Sequence, residues 1–407
     1  MSSVNFLEKL LDGAGVEWKP LREVATLRRG RVMSKEYLVE NAGDYPVYSS
    51  QTANNGVIGK IKTFDFDGEF ISWTTDGANA GTVFYRTGKF SMTNVCGLIK
   101  INHESELIYK FLFYWLSTEA QKHVYSGMGN PKLMSHQVEK ILIPIPCPET
   151  PKKSLAIQAE IVRIFDSFTE LTAELTAELT ARKKQYAYYR DQLLSFEGGE
   201  VEWMTLGDVT KKWYSGGTPT AGKPEYYEGG DIPWLRTQEV KFSDIESTEI
   251  KITQAALSNS AAKWIPKNCV IIAISGATAG RSAINKIPLT TNQHCGCLEI
   301  DSSKALYRYV FHWVSYNYEN IKALGQGARG DLNSSIIKDF KLPLPYADDP
   351  EKSLAEQARI VAILDKFDAL TNSISEGLPR EIALRQKQYE YYRDMLLSFP
   401  KPNEVAE

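Results

Sequence analysis

Polar and charged residues in short, glycine-containing stretches are the candidate functional residues of this chain, and they occur as two matching sets. The first set comprises Arg28, Arg29, Arg31, Ser50, Gln51, Thr52, Thr75, Asn79, Asn94 and Lys132. The second comprises Gly217, Thr218, Arg236, Thr237, Gln238, Ser275, Thr278, Arg281, Asn292, Gln293, Gln326 and Arg329. Such side chains hydrogen-bond to base edges and phosphates, and glycine lets a backbone approach a phosphate closely. The pattern predicts two similar nucleic-acid surfaces, and plain surface turns are the alternative.

The two sets belong to a tandem duplication that covers the whole chain. Residues 77–81, GANAG, return as residues 276–280, GATAG. Likewise, residues 184–191, KQYAYYRD, return as residues 387–394, KQYEYYRD. Because a repeat of this length reflects a repeated structural unit, each set of polar residues must be positioned by its own copy of one fold.

Long amphipathic segments join the two copies. From Leu155 to Leu193, apolar residues recur mostly three or four positions apart, which predicts a long helix. So narrow a stripe needs a second helix beside it, and the other copy is the natural antiparallel partner. We expect Ser154 to cap the first helix and Ser353 to cap the second in a capping box. Gly377 and Pro379 should kink or restart the second helix.

The predicted fold class is α+β, with two mixed α/β domains separated by two long antiparallel helices in a pseudo-twofold arrangement. We call residues 18–148 module one and residues 203–347 module two. The predicted boundaries are an N-terminal helix at 1–17, module one at 18–148, a spacer helix at 149–202, module two at 203–347, and a second spacer helix with a tail at 348–407.

Charge is distributed unevenly along the chain. The net charge is -3, yet each module carries +3 and the remaining residues carry -9. Mildly basic modules joined by acidic helices are compatible with phosphate binding. No apolar run is long enough to span a membrane and no signal peptide is visible, so we expect a soluble intracellular protein without membrane contact. The five cysteines suit buried, reduced thiols.

No residue pattern indicates a catalytic centre. Residues 217–223 have the spacing of a phosphate-binding loop, but Pro224 stands where a serine or threonine should hold magnesium. The five histidines, among them His294 and His312, show neither zinc-ligand nor triad spacing, so we expect them to be exposed or simply hydrogen-bonded. A nucleic-acid-modifying enzyme with an undetected site remains an alternative, as does a coiled-coil scaffold that binds no DNA.

Several motifs resemble the specificity (S) subunits of type I restriction-modification enzymes. Residues 216–219, GGTP, followed by 231–234, DIPW, are similar to the opening of that family's target recognition domains. Ser-Leu-Ala-x-Gln at 154–158 and 353–357 resembles the start of its conserved spacer helices. The TAEL repeats at 172–179 and the segment that follows resemble the IC subfamily, the EcoR124-like group. Module one has Arg28-Arg29-Gly30-Arg31 in place of the GGTP form.

The resemblance implies a non-catalytic subunit that reads bipartite double-stranded DNA, one half-site per module. It also implies two methylation (M) subunits, restriction (R) subunits that join through them, and a bacterial cytoplasmic location. No cofactor is expected in this chain, because S-adenosylmethionine would belong to the M subunit and ATP with magnesium to the R subunit.

The predicted partner surface lies at the aromatic ends of the spacer helices. Its residues are Tyr188, Tyr189, Arg190, Tyr391, Tyr392 and Arg393. Adjacent helical residues point about 100° apart, so one packed face cannot bury both tyrosines of a pair. The alternative is that these tyrosines lie along their own modules.

Overall fold

The computed structural model describes residues 6–127, 129–196, 201–327, 330–373 and 376–401. The chain divides into two compact units. Unit 1 contains the chain up to Glu174 together with the segment from Leu384 onward, and unit 2 contains Leu175–Ala383. Each unit therefore combines one module with parts of both spacer segments.

Unit 1 is built around a six-stranded sheet of order β2-β7-β5-β6-β3-β4, in which only β3 and β6 are parallel neighbours. Strands β1 and β8 form a separate antiparallel pair. The elements are α1 (Phe6–Leu11), β1 (Val16–Pro20), α2 (Leu21–Val24), β2 (Ala25–Arg29), α3 (Lys35–Glu40), β3 (Ala42–Tyr48), β4 (Val57–Ile61), β5 (Phe66–Thr74), β6 (Val83–Met92), β7 (Cys96–Ile101), α4 (Tyr109–Glu119), α5 (Ser135–Val138), β8 (Leu142–Pro146) and the first part of α6 (Pro151–Leu194).

The core of unit 1 follows the alternation of side chains along β5. Ile71 and Trp73 belong to the large cluster that contains Phe111 and Leu112 of α4. Phe70 instead belongs to a second, smaller buried cluster. Since successive strand residues point to opposite faces, β5 supplies apolar side chains to both sides of the sheet.

Unit 2 contains a five-stranded sheet of order β10-β17-β14-β15-β12, a three-stranded sheet of order β13-β11-β16, and the β9–β18 pair. The elements are β9 (Val201–Thr205), β10 (Thr210–Tyr214), α7 (Pro224–Tyr227), β11 (Ile232–Leu235), β12 (Asp244–Ile245), β13 (Ile250–Ile252), α8 (Gln254–Ser258), β14 (Val270–Ala273), β15 (Ser282–Asn285), β16 (Thr290–Thr291), β17 (Cys295–Ile300), α9 (Tyr307–Tyr316), α10 (Tyr318–Ala323), α11 (Ser334–Asp339), β18 (Lys341–Pro345), α12 (Pro350–Thr371) and α13 (Gly377–Leu396), whose later part lies in unit 1.

One strand of module one is divided in module two, which explains the different sheet counts. The continuous β6 of module one corresponds to β15 and β16, and the parallel β3–β6 pair corresponds to the parallel β11–β16 pair. Pro288 lies between β15 and β16. Because proline cannot donate to a strand ladder, it favours the interruption. The α+β prediction, with two sheet-containing modules and long helices, is confirmed.

The spacer helices confirm one expectation and correct another. The second spacer restarts as α13 at Gly377, whose φ is +72°, as the glycine and proline predicted. Both predicted serine caps are wrong, because α6 begins at Pro151 and α12 at Pro350. The cap of α12 is Asp349, whose carboxylate accepts a hydrogen bond from the backbone N–H of Lys352.

The repeated Ser-Leu-Ala-x-Gln motif forms a buried latch inside unit 1. Gln158 accepts from Ile108 N at 2.9 Å and donates to Glu106 O at 2.9 Å. It also donates to Ser154 Oγ at 3.1 Å, and its side chain is fully buried. The glutamine thereby satisfies backbone groups at the entry to α4 and attaches α6 to module one.

Unit 2 repeats the same latch. Gln357 accepts from Leu306 N at 2.9 Å and donates to Lys304 O at 3.3 Å and to Ser353 Oγ at 3.2 Å. The serines that resemble caps are therefore partners of the buried glutamines, and they attach α12 to the chain entering α9.

Candidate nucleic-acid interface

In module two, the GGTP loop packs directly on the turn between β16 and β17. A Cβ added to Gly216 would lie 1.8 Å from Thr291 O, and one added to Gly217 would lie 2.5 Å from Ala261 Cβ. Trp234 Nε1 donates to Gly217 O at 3.2 Å. The two glycines are therefore required for close packing, which brings Thr218 beside the turn.

Four exposed or half-buried polar residues of this region form a continuous chain of hydrogen bonds. Thr218 Oγ1 donates to Gln293 Oε1 at 2.8 Å. Gln293 Nε2 lies 3.1 Å from His294 Nε2, and His294 Nδ1 lies 2.6 Å from Ser275 Oγ. Asn292 Oδ1 accepts from His294 N at 3.0 Å. The structure thus brings together four predicted residues and adds His294, which the absence of a histidine spacing motif had concealed.

Arg236 lies in the same module but is held by carboxylates. Its Nη2 donates to Glu249 at 2.6 Å, and its Nε lies 3.7 Å from Glu239. Thr237 and Gln238 occupy the 3-10 turn that follows it. A base that approached Arg236 Nη2 or Nε would compete with these acidic partners.

Three further predicted residues of module two, Thr278, Arg281 and Gln326, lie in turns near this cluster. Thr278 O accepts from Arg281 N at 3.0 Å in the turn after β14. Gln326 forms an isolated antiparallel backbone β-bridge with Asp331, and Asp331 Oδ1 accepts a hydrogen bond from Gly276 N at 3.4 Å. Arg329 lies outside the residues that the structure describes.

Module one contains a counterpart of the GGTP packing despite its different sequence. A Cβ added to Gly30 would lie 2.3 Å from both Met92 O and Thr93 O. Thr93 is the repeat counterpart of Thr291, so Gly30 occupies the place of Gly216. Arg31, directly after Gly30, is positioned by Asp65 at 3.0 Å and Tyr37 at 3.1 Å. The hydrogen bond that Arg31 donates to the Tyr37 hydroxyl, together with Asp65, raises the pKa of Arg31 against its desolvation.

Other predicted residues of module one lie in neighbouring turns and are linked to backbone or to each other. Asn79 Nδ2 donates to Ser50 O at 3.2 Å, and Gln51 Nε2 donates to Val57 O at 2.6 Å. The buried Thr75 donates to Asp76 at 2.6 Å. Lys132 forms an isolated backbone β-bridge with Asp76. The other predicted residues, Arg28, Arg29, Thr52 and Asn94, are exposed.

A buried arginine supports one of these turns and was missed in the sequence. Arg86 lies 3.6 Å from the Tyr48 ring centroid and 4.3 Å from that of Phe84. It donates to Ser72 Oγ at 3.0 Å and to Asn55 O at 2.8 Å. Burial lowers the pKa of its guanidinium. Arg86 therefore positions the turn that contains the predicted contacts Ser50 to Thr52. Tyr48 and Ser72 lie on other strands, β3 and β5, so the sequence around Arg86 does not indicate this role.

The predicted partner residues divide into projecting and packed side chains. Tyr188 is 59% exposed and Tyr391 is 66% exposed. Tyr189 instead stacks on Phe367 in unit 2, and Tyr392 packs on Phe168 in unit 1. Adjacent tyrosines thus have different surroundings, as their angular separation predicts. Arg190 and Arg393 each pair with the aspartate that follows them.

The described part of the chain supplies no group of three or more His, Cys, Asp or Glu side chains suited to a metal ion. Within those same residues, no helix is long and apolar enough to cross a membrane.

All five cysteines are buried and unpaired, which confirms the prediction of buried, reduced thiols. Burial raises the pKa of Cys96 to about 11 and that of Cys269 to about 12, so these thiols are poor nucleophiles.

Two sheet-containing modules, each with a glycine-packed polar turn, define a tandem recognition architecture. A family model described as "Type I restriction modification DNA specificity domain" matches residues 14–182 and 199–384. The chain is 41% identical to the specificity subunit of the type I restriction enzymes EcoR124I and EcoR124II of Escherichia coli, with 100% of both chains covered. It belongs to the family of type I restriction-modification specificity subunits.

Two further relatives extend this comparison. A putative type I specificity subunit of Mycoplasma pneumoniae is 31% identical over 95% of this chain and 98% of its own length. The crystal structure of a type I restriction-modification S subunit from M. genitalium aligns with a TM-score of 0.65 at 16% identity, covering 96% of this chain and 98% of that one. At that identity the crystal structure supports the fold alone.

Proposed function

We propose that this chain reads a bipartite DNA target for a type I restriction-modification complex, with one half-site per module. The observation that carries the proposal is the shared packing of Gly30 on Thr93 and of Gly216 on Thr291. In both modules this packing presents a polar turn at the surface. Membership of a DNA-specificity family supports DNA as the ligand of these turns, and the +3 charge of each module favours phosphate contact.

In this role the chain has no catalytic activity of its own. It works in the bacterial cytoplasm. Two M subunits bind it and hold S-adenosylmethionine, and R subunits with ATP and magnesium join through them. The projecting Tyr188 and Tyr391 are the proposed centres of the M contacts, because exposed aromatic side chains are common anchors of protein interfaces. Tyr189 and Tyr392 support them by packing on their own units.

A module exchange tests the proposed reading of DNA. Residues 203–347 are replaced by the same segment of a relative, and methylated sites are mapped in cells that express the chimera with its M subunit. We expect one half of the methylated sequence to change and the other half to stay. The matched chimera, with residues 18–148 exchanged, should change only the other half. A change of both halves in either chimera would contradict one half-site per module.

A second experiment tests the proposed partner surface. Tyr188→Glu combined with Tyr391→Glu should abolish co-purification with the M subunit, because it places charge at both contact centres. Tyr188→Phe combined with Tyr391→Phe is the matched control and should retain assembly. Stoichiometric co-purification of the glutamate variant would exclude these tyrosines from the interface.

A further inference from the structure

We propose that Ser275, His294, Gln293 and Thr218 act as one base-reading unit of module two, in which His294 is the positioning residue that couples the two ends. The inference rests on the proposed function, because it specifies how this surface meets its half-site. Its ligand is the major-groove edge of a base pair. The acceptors it would meet are guanine O6 or N7, adenine N7 and thymine O4.

The hydrogen bonds that link Thr218, Gln293, His294 and Ser275 can all be donated in either of two directions. Serine and threonine hydroxyls can donate or accept, the amide of Gln293 has one end of each kind, and neutral histidine has one donor and one acceptor nitrogen. If Thr218 donates to Gln293 and Gln293 to His294, then His294 donates to Ser275. The Ser275 O–H is then free to donate to a base.

In the opposite direction, Ser275 donates to His294, and the tautomer of the imidazole changes. The Gln293 amide turns over and donates to Thr218, whose O–H becomes the free donor. A base acceptor at one end of the network therefore selects the direction in which all of its hydrogen bonds are donated. Coupling between Ser275 and Thr218 passes through the ring of His294, because the ring joins Ser275 to Gln293.

Structural stability does not account for this arrangement. Thr218, Gln293 and His294 are all exposed, and hydrogen bonds that compete with water add little to folding. The backbone of His294 is nevertheless held on both sides. Its N–H donates to Asn292 Oδ1 at 3.0 Å, and its C=O accepts from Ile274 N at 2.9 Å. The side chain is thus placed at the surface by a turn whose backbone is hydrogen-bonded at both the N–H and the C=O of His294.

Module one shows that the fold does not need the unit. Val95 O accepts from Thr75 N at 3.0 Å, as His294 O accepts from Ile274 N, so Val95 occupies the place of His294. Asp76, the residue after Thr75, occupies the place of Ser275. Valine cannot relay a hydrogen bond, so the proposed coupling is specific to module two.

A double-mutant cycle on the assembled M–S complex tests the proposal. Ser275→Ala, Thr218→Val and the double variant are compared with the unmutated chain by fluorescence anisotropy. The duplexes are unmethylated and contain the target sequence that the complex methylates. The same four proteins are then made in a His294→Phe background, which keeps an aromatic ring but removes both nitrogens. Duplexes with substitutions in the module-one half-site serve as the internal control.

With His294 present, we expect each single variant to weaken binding, and the double variant to lose at least about threefold less affinity than the product of the single losses. In the His294→Phe background the losses should multiply. Discrimination at the module-one half-site should stay unchanged throughout.

Three results would overturn the inference: multiplicative losses with His294 present, the same coupling without its nitrogens, or no effect of either single variant. These results leave the proposed function intact. That function fails separately if the unmutated complex binds equally well to a duplex whose module-two half-site has been scrambled.

Discussion

The two units attach their spacer helices at equivalent positions but with different chemistry. In unit 1, Asp166 of α6 accepts from Lys110 Nζ at 2.6 Å and from Tyr114 Oη at 2.7 Å. In unit 2, Asp365 of α12 accepts from Arg308 Nη2 at 2.6 Å and lies 2.6 Å from His312 Nε2. The aspartate is retained, whereas both of its partners differ.

The unit 2 contact extends further into its module. Arg308 Nη1 also donates to Asp244 at 2.7 Å, at the edge strand β12. Burial opposes ionisation of Asp365, but hydrogen bonds from His312 and Arg308 outweigh it and lower its pKa. By contrast, the buried Ser–Gln latch is the same in both units. The comparison indicates that neutral buried contacts hold the repeated scaffold, while partly exposed ionic contacts have diverged.

The latch should give the largest and most equal effects in the two units. Gln158→Leu and Gln357→Leu each remove a side chain that bonds to a backbone N–H and a backbone C=O. Leaving such groups buried without partners should cost about 3 kcal/mol of unfolding free energy in the affected unit. Urea titration with hydrogen exchange can assign the loss to a unit.

Gln386→Ala is the control, because this exposed residue of α13 bonds only to Glu390, one turn away, among the hydrogen bonds that the structure describes for it. Its effect should stay below about 0.5 kcal/mol. A loss below about 1 kcal/mol for either leucine variant, or losses that differ severalfold between the units, would break the claim of a shared latch.

The glycine packing should give the next largest effects, and these should separate the modules by function. Gly30→Ala and Gly216→Ala each force a methyl group against a backbone carbonyl, which should cost about 2 kcal/mol. Each should also impair recognition of its own half-site only, as measured by methylation of duplexes with one altered half-site. Gly129→Ala is the control, since nothing lies within 4 Å of its added Cβ. Impaired reading of both half-sites by either variant would contradict independent modules.

The aspartate attachments should give the smallest and most unequal effects. Asp365→Asn should cost about 2 kcal/mol, because Arg308 loses its charged acceptor in a half-buried site. Asp166→Asn should cost about 1 kcal/mol, since its Lys110 partner is 40% exposed. Equal losses in urea unfolding would remove the distinction between the two attachments.

The contribution of Asp365 to stability should also depend on pH. Because the folded-state pKa of Asp365 is lower than its unfolded value of 3.8, its contribution is complete above about pH 4 to 5 and is lost as pH falls through the folded value. Unfolding free energy measured between pH 7 and pH 3 should therefore fall less steeply for Asp365→Asn than for the unmutated chain. An unchanged slope would show that Asp365 does not gain stability from its ionised form.

The correct and incorrect expectations differ in the range of the interactions on which they depend. The restart at Gly377 was predictable because it depends on local backbone preferences. The role of Ser154 was not, because a serine near a helix start has the same local pattern as a cap. Only the approach of Glu106 and Ile108, about fifty residues away in sequence, makes it a latch partner of Gln158.

The duplication, the α+β class, the long helices and the polar turns could all be inferred from the order of the residues, because repeats, periodicity and turn residues are visible in it. Three roles became visible in the folded chain alone: Gly30 takes the place of Gly216, Arg86 supports a turn, and His294 joins Ser275 to Gln293. These roles arise where segments distant in sequence meet, because hydrogen bonds and packing contacts act only over a few ångströms.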